Sequence, residues 1–483
     1  MELLSPAGNV EKLKYAYFYG ADASYIGLKN FSLRVKADNF YQDEYKKVIE
    51  LKEKFPGKKL HCALNISFHN HEIDRLIENI PYFKQYPIDA FIIQDLGIVP
   101  IIQKNFPDAQ LHLSTQASCM NREAVKMYKS LGFSRVVMGR EASLKEIAEI
   151  KDAVPDMEIE CFIHGAMCIA YAGRCLMSSY LTGRSAQEGF CSHTCRWDYD
   201  VLTAKKIAES GELVLREHKR PDEYFPIYEG NDFTAVLSSK DLCMIDHLKE
   251  LKEAGVDSLK IEGRMKSVYY VALITRAYRK ALDALEGKIT QDEASPFVDE
   301  LYKASHRPFT TAFYFNKSDA DVTVSGASDS PYELAAEIGQ MLSESEENEI
   351  LKKAADYKKL QDDEYAALCD QAKAAYDKRV KDQPDKHLPL ATKIEGYRMY
   401  TLEALNMLNE STQMQLVSPN IVGKDIKFKK DFVLINPENG ELYNWVCNGH
   451  PCVIYTNMEV SEGSLIRTKD ENYVEGKFRD SGR

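Results

Sequence analysis

The stretch Tyr19-Gly20-Ala21-Asp22-Ala23-Ser24-Tyr25-Ile26-Gly27-Leu28 carries the pattern that decides the fold. An amphipathic run ends at residue 19, and Gly20 follows where a left-handed residue commonly terminates a helix. A β-rich run, residues 23–28, begins almost at once. The same order of features returns at residues 254–258, Ala-Gly-Val-Asp-Ser, directly before another β-rich run. Such a junction is typical of repeated helix–strand architecture.

Outward from this stretch, β-rich runs alternate with amphipathic patterns as far as residue 285. The β-rich runs are 2–4, 23–28, 60–66, 90–95, 110–115, 135–138, 158–164 and 258–262. Eight strands, each followed by a helix or a longer excursion, predict an α/β fold, a TIM-type (β/α)₈ barrel over residues 1–306. The excursion after the seventh run, residues 165–257, is far longer than an ordinary connection. It opens onto the C-terminal face, where barrel enzymes hold their active sites.

Beyond residue 306 the pattern predicts an all-β C-terminal domain. We expect this domain to start over residues 307–331, to contain a helical insertion at 332–387, and to continue over 388–483. The run 424–430 interleaves a phenylalanine with four lysines, which suits a phosphate backbone. Lysines that protect a solvated strand edge are the alternative interpretation.

Composition and charge narrow the class of protein. The net charge of −12 argues against a surface coated with nucleic-acid-binding charge, although a local basic patch is compatible with it. No secretory signal and no run of 18 apolar residues is present, so we expect a cytoplasmic protein without a membrane partner. In a reducing compartment, clustered cysteines indicate a metal, an iron–sulfur cluster or catalysis rather than disulfides.

Four of the eleven cysteines fall within one part of the long excursion. They are Cys168, Cys175, Cys191 and Cys195. Four cysteines can bind either Zn²⁺ or an iron–sulfur cluster. The spacing lacks the C-x₂-C knuckles of structural zinc sites, which favours a [4Fe-4S] cluster over zinc or unligated cysteines. A nucleophilic cysteine paired with His164 or His193 is a further alternative.

Polar residues near the ends of the predicted strands are candidates for the rest of the site, because these ends meet at one face of a barrel. The candidate catalytic residues are His164, Glu160, Glu262 and Lys260. His164 suits a general acid or base, whereas Glu160 and Lys260 also suit a buried ion pair. The candidate substrate-binding residues, whose arginines can clamp carboxylates or phosphates, are Arg34, Asn65, Asp95, Gln116, Arg140 and Arg264.

Several motifs together resemble the signature of the peptidase U32 family. They are residues 159–197, which contain the four cysteines, and the segments 2–9, 31–40 and 239–267. The family carries an older protease or collagenase label. Its better-understood members are oxygen-independent hydroxylases of transfer-RNA uridine, ribosomal-RNA cytidine or a ubiquinone precursor. The resemblance implies that the four cysteines are cluster ligands, with Cys243 as a weaker fifth candidate.

The resemblance implies a function as well as a ligand set. We expect an RNA hydroxylase that forms 5-hydroxyuridine in tRNA, with a [4Fe-4S] cluster and with the small dicarboxylate prephenate as oxygen source. Alternatives are an rRNA cytidine hydroxylase and a collagenase-like U32 peptidase, although neither a Gly-x-Ser-x-Gly elbow nor a His-Glu-x-x-His helix is present. Some cluster-bearing members of the family work as pairs, so a homo- or hetero-oligomer is also open.

Overall fold

The structure is a computed structural model. It describes residues 1–28, 31–32, 38–168, 170–175, 177–178, 191–196, 239–315, 330–367, 373 and 394–470, together with the backbone of four short strands between residues 214 and 235. The chain divides into two compact units that meet in sequence at residues 330 and 331.

The first unit is a closed barrel of parallel strands. In chain order its strands are β1 (Glu2–Pro6), β2 (Ala23–Ile26), β3 (Lys59–Leu64), β4 (Ala90–Ile93), β5 (Gln110–Leu113), β6 (Arg135–Val137), β7 (Glu158–Ala166), β8 (Val214–Arg216), β9 (Tyr224–Pro226), β10 (Tyr228–Glu229), β11 (Thr234–Ala235), β12 (Asp241–Cys243), β13 (Ser258–Ile261) and β14 (Phe309–Thr310). The barrel consists of β1 to β7 and β13. Because β13 pairs with both β1 and β7, the sheet closes, and the predicted TIM-type barrel is confirmed.

Helices occupy the connections between the barrel strands and also follow the last strand, β13. They are α1 (Val10–Phe18), α2 (Tyr45–Lys54), α3 (Asn70–Phe83), α4 (Val99–Asn105), α5 (Arg122–Ser130), α6 (Leu144–Ala153), α7 (Leu248–Glu253), α8 (Val268–Leu285) and α9 (Gln291–Asp299), with 3₁₀ turns at Leu96–Ile98, Thr115–Ala117, Thr194–Arg196, Ile245–His247 and Glu300–Lys303. Gly20 and Gly255 have φ angles of 99° and 81° just after α1 and α7. These left-handed residues end the two helices as the junction pattern predicts.

The sheet continues past the barrel on one side of β7. β12 pairs antiparallel with the end of β7, and β14 pairs parallel with β12. The predicted start of the C-terminal domain at residues 307–331 is therefore wrong for its described part, which adds to the barrel sheet. A buried ion pair explains the attachment, because the guanidinium of Arg307 lies 2.6 Å from a carboxylate oxygen of Asp241. Cys243, the fifth ligand candidate, lies on β12.

The second unit contains a seven-stranded antiparallel sheet. Its strands are β15 (Tyr332–Met341), β16 (Arg398–Ala404), β17 (Leu408–Asn409), β18 (Met414–Ser418), β19 (Ile421–Ile426), β20 (Phe432–Ile435), β21 (Trp445–Val446), β22 (Cys452–Thr456) and β23 (Leu465–Lys469). The seven strands lie in the order β19-β18-β23-β15-β16-β22-β20, while β17 and β21 form a separate two-stranded ribbon.

The predicted helical insertion at 332–387 is only partly correct. Its first ten residues form β15, at the centre of the sheet, and α10 (Glu344–Ala367) follows. The alanines and charged residues of β15 resemble a helical composition, but its buried positions pack in the sheet core with residues far along the chain. Residues 368–387 lie outside the described residues, apart from Lys373. Within the described part of the chain, no helix has both the length and the apolar character needed to cross a membrane.

Candidate active site

A cavity of about 1210 Å³, measured to include its open mouth, lies at the C-terminal face of the barrel. Residues that follow four different barrel strands line it. They are Asn65 after β3, Gln116 after β5, Arg140 after β6, and Glu262 with Arg264 after β13. The position agrees with the expectation that a barrel enzyme holds its chemistry where the parallel strands end.

All four clustered cysteines line this cavity. They reach it from separate pieces of the long excursion, at residues 168, 175 and 191–195. None of the four forms a disulfide with a described residue. Cys168 is exposed and the other three are partly exposed, whereas Cys62, Cys119, Cys161 and Cys452 are buried. The structure therefore separates the four cysteines on the cavity wall from single cysteines that pack in the protein interior.

The loop that presents Cys175 is held against the ends of β5 and β6. The hydroxyl of Ser118 donates a hydrogen bond to the carbonyl oxygen of Ala172, and the amide of Ala172 donates to Oε1 of Glu141 at 3.0 Å. Gly173 has a φ angle of 71°, and a Cβ atom there would lie 2.1 Å from the carbonyl oxygen of Gln116. Only glycine fits this close approach, so the backbone itself docks the loop on the barrel.

Three cationic side chains face the same space. Arg140 lies with its guanidinium 3.7 Å from the ring centroid of Phe162 and 3.6 Å from a carboxylate oxygen of Glu262. Arg264 donates hydrogen bonds to Oγ of Ser32 and Oδ1 of Asn39, at 2.7 and 3.0 Å. Its guanidinium is thereby oriented before any ligand arrives.

Lys260 is the third cation, and it connects the cavity to the barrel interior. Its Nζ lies 2.6 Å from Oε1 of Glu160, which is fully buried and also 3.0 Å from Arg135. Burial alone would raise the pKa of Glu160, but the charges of Lys260 and Arg135 outweigh it and hold that pKa below its usual value. Glu160 is thus a charged partner beneath the cavity, whereas Lys260 lines the cavity itself.

His164 is not among the residues that line the cavity. The pairing of β7 with β13 shifts register at Lys260 and Ile261, next to His164. The imidazole is buried against Tyr278 of α8 and Phe309 of β14, with ring centroids 5.6 and 5.3 Å away. Burial lowers the pKa of His164 to about 3, so the ring is neutral near pH 7. The geometry gives it a packing position rather than a place at the site.

The other predicted residues divide into three groups. Asn65, Gln116, Arg140, Glu262, Lys260 and Arg264 line the cavity. Asp95 does not, because its carboxylate accepts hydrogen bonds from the amides of Gly97 and Phe68, both at 2.9 Å. It caps the turn after β4. Arg34 lies outside the described residues.

Three aromatic residues of the lining were not identified from the sequence. They are Tyr25 on β2, Phe162 on β7 and Tyr171 in the cysteine-bearing excursion. Tyr25 and Phe162 lie on predicted strands, so the inward-facing positions of those strands were the signal available for finding them. Nothing local distinguishes Tyr171 from the other aromatic residues of the excursion.

Comparison with known proteins identifies the family. The family model described as Peptidase family U32 matches residues 8–323. The chain belongs to peptidase family U32. All residues that line the cavity fall within the U32 match, whereas the second compact unit lies entirely beyond it.

Curated relatives within the U32 family include proteins named for RNA modification. The tRNA hydroxylation protein P1 of Bacillus subtilis is 41% identical over 317 residues, which cover 65% of this chain and 70% of the relative. The tRNA hydroxylation protein P of Escherichia coli is 38% identical over 339 residues, covering 65% and 74%. The 23S rRNA 5-hydroxycytidine C2501 synthase of Escherichia coli is 34% identical over 349 residues, covering 71% and 49%.

The donor chemistry of the U32 cavity fits a metal centre. The four cysteines in the lining supply the ligand number and the softness that an iron–sulfur cluster requires. By ligand type alone, four thiolates also suit Zn²⁺. The guanidinium of Arg264, which two neutral side chains orient, fits a ligand that carries negative charge.

Proposed function

We propose that this U32 protein is an oxygen-independent RNA hydroxylase that forms 5-hydroxyuridine in tRNA. In this proposal Cys168, Cys175, Cys191 and Cys195 hold a [4Fe-4S] cluster, and prephenate is the oxygen source. One observation carries the proposal: the four cysteines and three cations line a single cavity. Relatives named for tRNA hydroxylation support the choice of substrate.

The cations support a dicarboxylate co-substrate. Each carboxylate of such a ligand needs a cationic partner, and arginine can bind a carboxylate through two parallel hydrogen bonds. Arg264 is oriented by Ser32 and Asn39, so little side-chain entropy would be lost when it binds. Arg140 is only loosely paired with Glu262 at 3.6 Å, and a ligand carboxylate can replace this partner. Lys260, held by Glu160, offers a further donor at the cavity wall.

The uncharged lining supports a nucleobase as the second ligand. Tyr25, Phe162 and Tyr171 offer aromatic surface for a base, and the amides of Asn65 and Gln116 match the mixed donors and acceptors of a uracil edge. A base must leave its stack to enter a cavity of this kind, which costs least for an unpaired nucleotide. A loop of tRNA supplies such nucleotides.

The cysteine-bearing loops have a positioning role in this proposal. When bound, the cluster would supply the redox chemistry that hydroxylation without molecular oxygen requires. The chain's own contribution is to hold the loop rigidly, through Ala172 and Gly173, at the edge of the cavity that binds the two substrates. Proximity in one enclosed site replaces an encounter in solution.

Nucleoside analysis tests the proposal. In cells that lack the gene, mass spectrometry of digested tRNA should show loss of 5-hydroxyuridine, and the wild-type gene should restore it. In purified enzyme, Arg140→Ala should raise the KM for prephenate by about tenfold to about a hundredfold, because a charge-assisted hydrogen bond is lost. Arg122→Ala is the matched control, since Arg122 is an exposed arginine of α5 outside the cavity.

Other outcomes of these experiments would indicate a different function for the chain. Unchanged tRNA nucleosides contradict the proposal. Loss of 5-hydroxycytidine from 23S rRNA would replace the tRNA substrate with an rRNA one. Protein cleavage that persists without the cysteines, and with RNA unchanged, would establish a peptidase instead.

A further inference from the structure

The two-stranded ribbon of β17 and β21 displays a tryptophan on the surface of the second unit. Asn409 pairs with Trp445, and Leu408 pairs with Val446. Leu408 and Val446 are fully buried in the core of the unit, whereas 48% of Trp445 is exposed. Because successive side chains of a strand point to opposite faces, Val446 points into the core and the ring of Trp445 points outward.

Two further rings hold this tryptophan in place. His450 lies between Tyr443 and Trp445, with ring centroids 5.6 and 4.9 Å away and ring planes nearly perpendicular. Gly449, with a φ angle of 89°, reverses the chain so that His450 returns beside Trp445. We name Tyr443, Trp445 and His450 the aromatic ledge. Because its rings already contact one another, a planar ligand can bind the ledge without a large loss of side-chain entropy.

Lysines lie beside the aromatic ledge. The turn between β19 and β20 contains Lys427, Lys429 and Lys430, and Lys429 forms an ion pair with Glu410. Glu410 directly follows Asn409, the strand partner of Trp445. This contact places the turn next to the ribbon. Lys427 and Lys430 are exposed, and neither forms an ion pair with any residue in the described part of the chain.

We infer that the aromatic ledge and this lysine turn bind a single-stranded segment of RNA, with one unpaired base stacked on Trp445 and adjacent phosphates near Lys427 and Lys430. The inference rests on the proposed function, which supplies RNA as the partner. An exposed ring next to unpaired cations is the combination by which proteins bind single strands. A duplex would not expose the face of a base to the ring.

The composition of the ledge favours RNA over a protein partner. Exposed Asn444 and Asn448 flank it, so the apolar surface is a single ring with polar borders and not a broad patch. Stable protein interfaces require a much larger buried area. A local site of this kind also needs no net positive charge on the unit as a whole.

Binding measurements on the full-length protein test the inference. Fluorescence anisotropy with a labelled single-stranded uridine-rich RNA and with whole tRNA should show Trp445→Ala binding about fivefold to about a hundredfold more weakly, the range typical of a lost base stack. Trp445→Phe should retain most of the affinity. Met341→Ala, which removes an equally exposed apolar side chain on β15, should bind like the wild type.

The lysines are tested by salt dependence. Lys427→Ala and Lys430→Ala should each reduce the slope of log affinity against log salt concentration by about 0.7, because each removes one phosphate contact to a single strand. Lys359→Ala, an exposed lysine of α10, should leave the slope unchanged. Unchanged slopes for both turn lysines contradict the phosphate contacts.

A direct optical test uses the small number of tryptophans, since the chain has two. In a Trp197→Phe background, Trp445 is the remaining indole, and added uridine-rich RNA should quench its emission while heparin, a polyanion without bases, should not. Two results together would contradict the inference: RNA binds Trp445→Ala with wild-type affinity, and RNA does not quench the emission of Trp445 in the Trp197→Phe protein. The ledge would then not be an RNA site. The proposed function would still stand if cells that lack the gene lose 5-hydroxyuridine, because that result does not depend on the ledge.

Discussion

At the scale of single residues, Cys191 and Cys243 are two partly exposed thiols in different surroundings. Cys191 lines the cavity, whereas Sγ of Cys243 lies 3.8 Å from the hydroxyl of Tyr278 on α8. Under the proposed ligand set, Cys191→Ala removes one of four cluster ligands, so protein purified without oxygen should lose its brown colour and most of its iron. The fold should persist, because the residue lies in the excursion and not in the barrel core.

Cys243→Ala is the matched control for this prediction. It should keep the iron and sulfide content of the wild type and lose at most about 1 kcal/mol of unfolding free energy, because one small, partly buried group is removed. Iron and sulfide analysis of both proteins decides between the ligand sets. If Cys191→Ala keeps its full iron content and Cys243→Ala does not, Cys243 is the fourth ligand.

At the scale of elements, the loop of residues 170–175 depends on one glycine. Gly173→Ala would push a Cβ into the carbonyl group of Gln116 and would also strain a positive φ angle, at a cost of about 1–2 kcal/mol for the strain alone. The loop should detach from β5, and iron content should fall although every cysteine remains.

Gly57→Ala separates strain from steric clash. Gly57 has a φ angle of 83°, but no atom lies within 4 Å of a Cβ placed there. This variant should lose stability through the same backbone strain and yet retain its iron. Equal iron content in the two alanine variants would show that the contact between Gly173 and Gln116 does not position the cysteines.

At the scale of the whole barrel, buried histidines should make stability depend on pH. Burial lowers the pKa of His61 to about 4, and it lowers the pKa of His112 well below its usual value. Both rings are neutral in the folded barrel but bind protons in the unfolded chain below about pH 6.5. The unfolded state therefore gains protons as pH falls, and stability should decrease by about 1.4 kcal/mol per pH unit for each histidine between about pH 6.5 and 4.

The charged network beside these histidines continues the same trend at lower pH. Burial would raise the pKa of Glu2, but the hydrogen bonds and charge of Arg135 hold it at about 2. This contribution is present above the unfolded pKa of about 4.5 and is lost as pH falls toward 2. Urea unfolding of the cluster-free protein at several pH values measures the slope. His61→Gln should reduce it between pH 6.5 and 4, whereas His71→Gln, at an exposed site, should not.

The sequence by itself determined the architecture of the barrel and the set of clustered cysteines. Both depend on local information: Gly20 and Gly255 end helices through their own backbone freedom, β-rich runs mark strands, and the four cysteines are close together in the sequence itself. The pairing of Lys260 with Glu160 also followed from the neighbouring positions of their strands, and the structure places the two groups in contact.

Only the tertiary structure decided which side chains reach the cavity. The ring of His164 packs against α8, next to a register shift between β7 and β13. The carboxylate of Asp95 accepts hydrogen bonds from two backbone amides. The ion pair of Arg307 with Asp241 attaches residues 307–315 to the barrel sheet. The aromatic ledge likewise depends on a ribbon that joins Asn409 to Trp445. Each of these outcomes depends on contacts between distant parts of the chain. A local pattern predicts that a residue lies on a strand or in a turn, but only those contacts determine what its side chain touches.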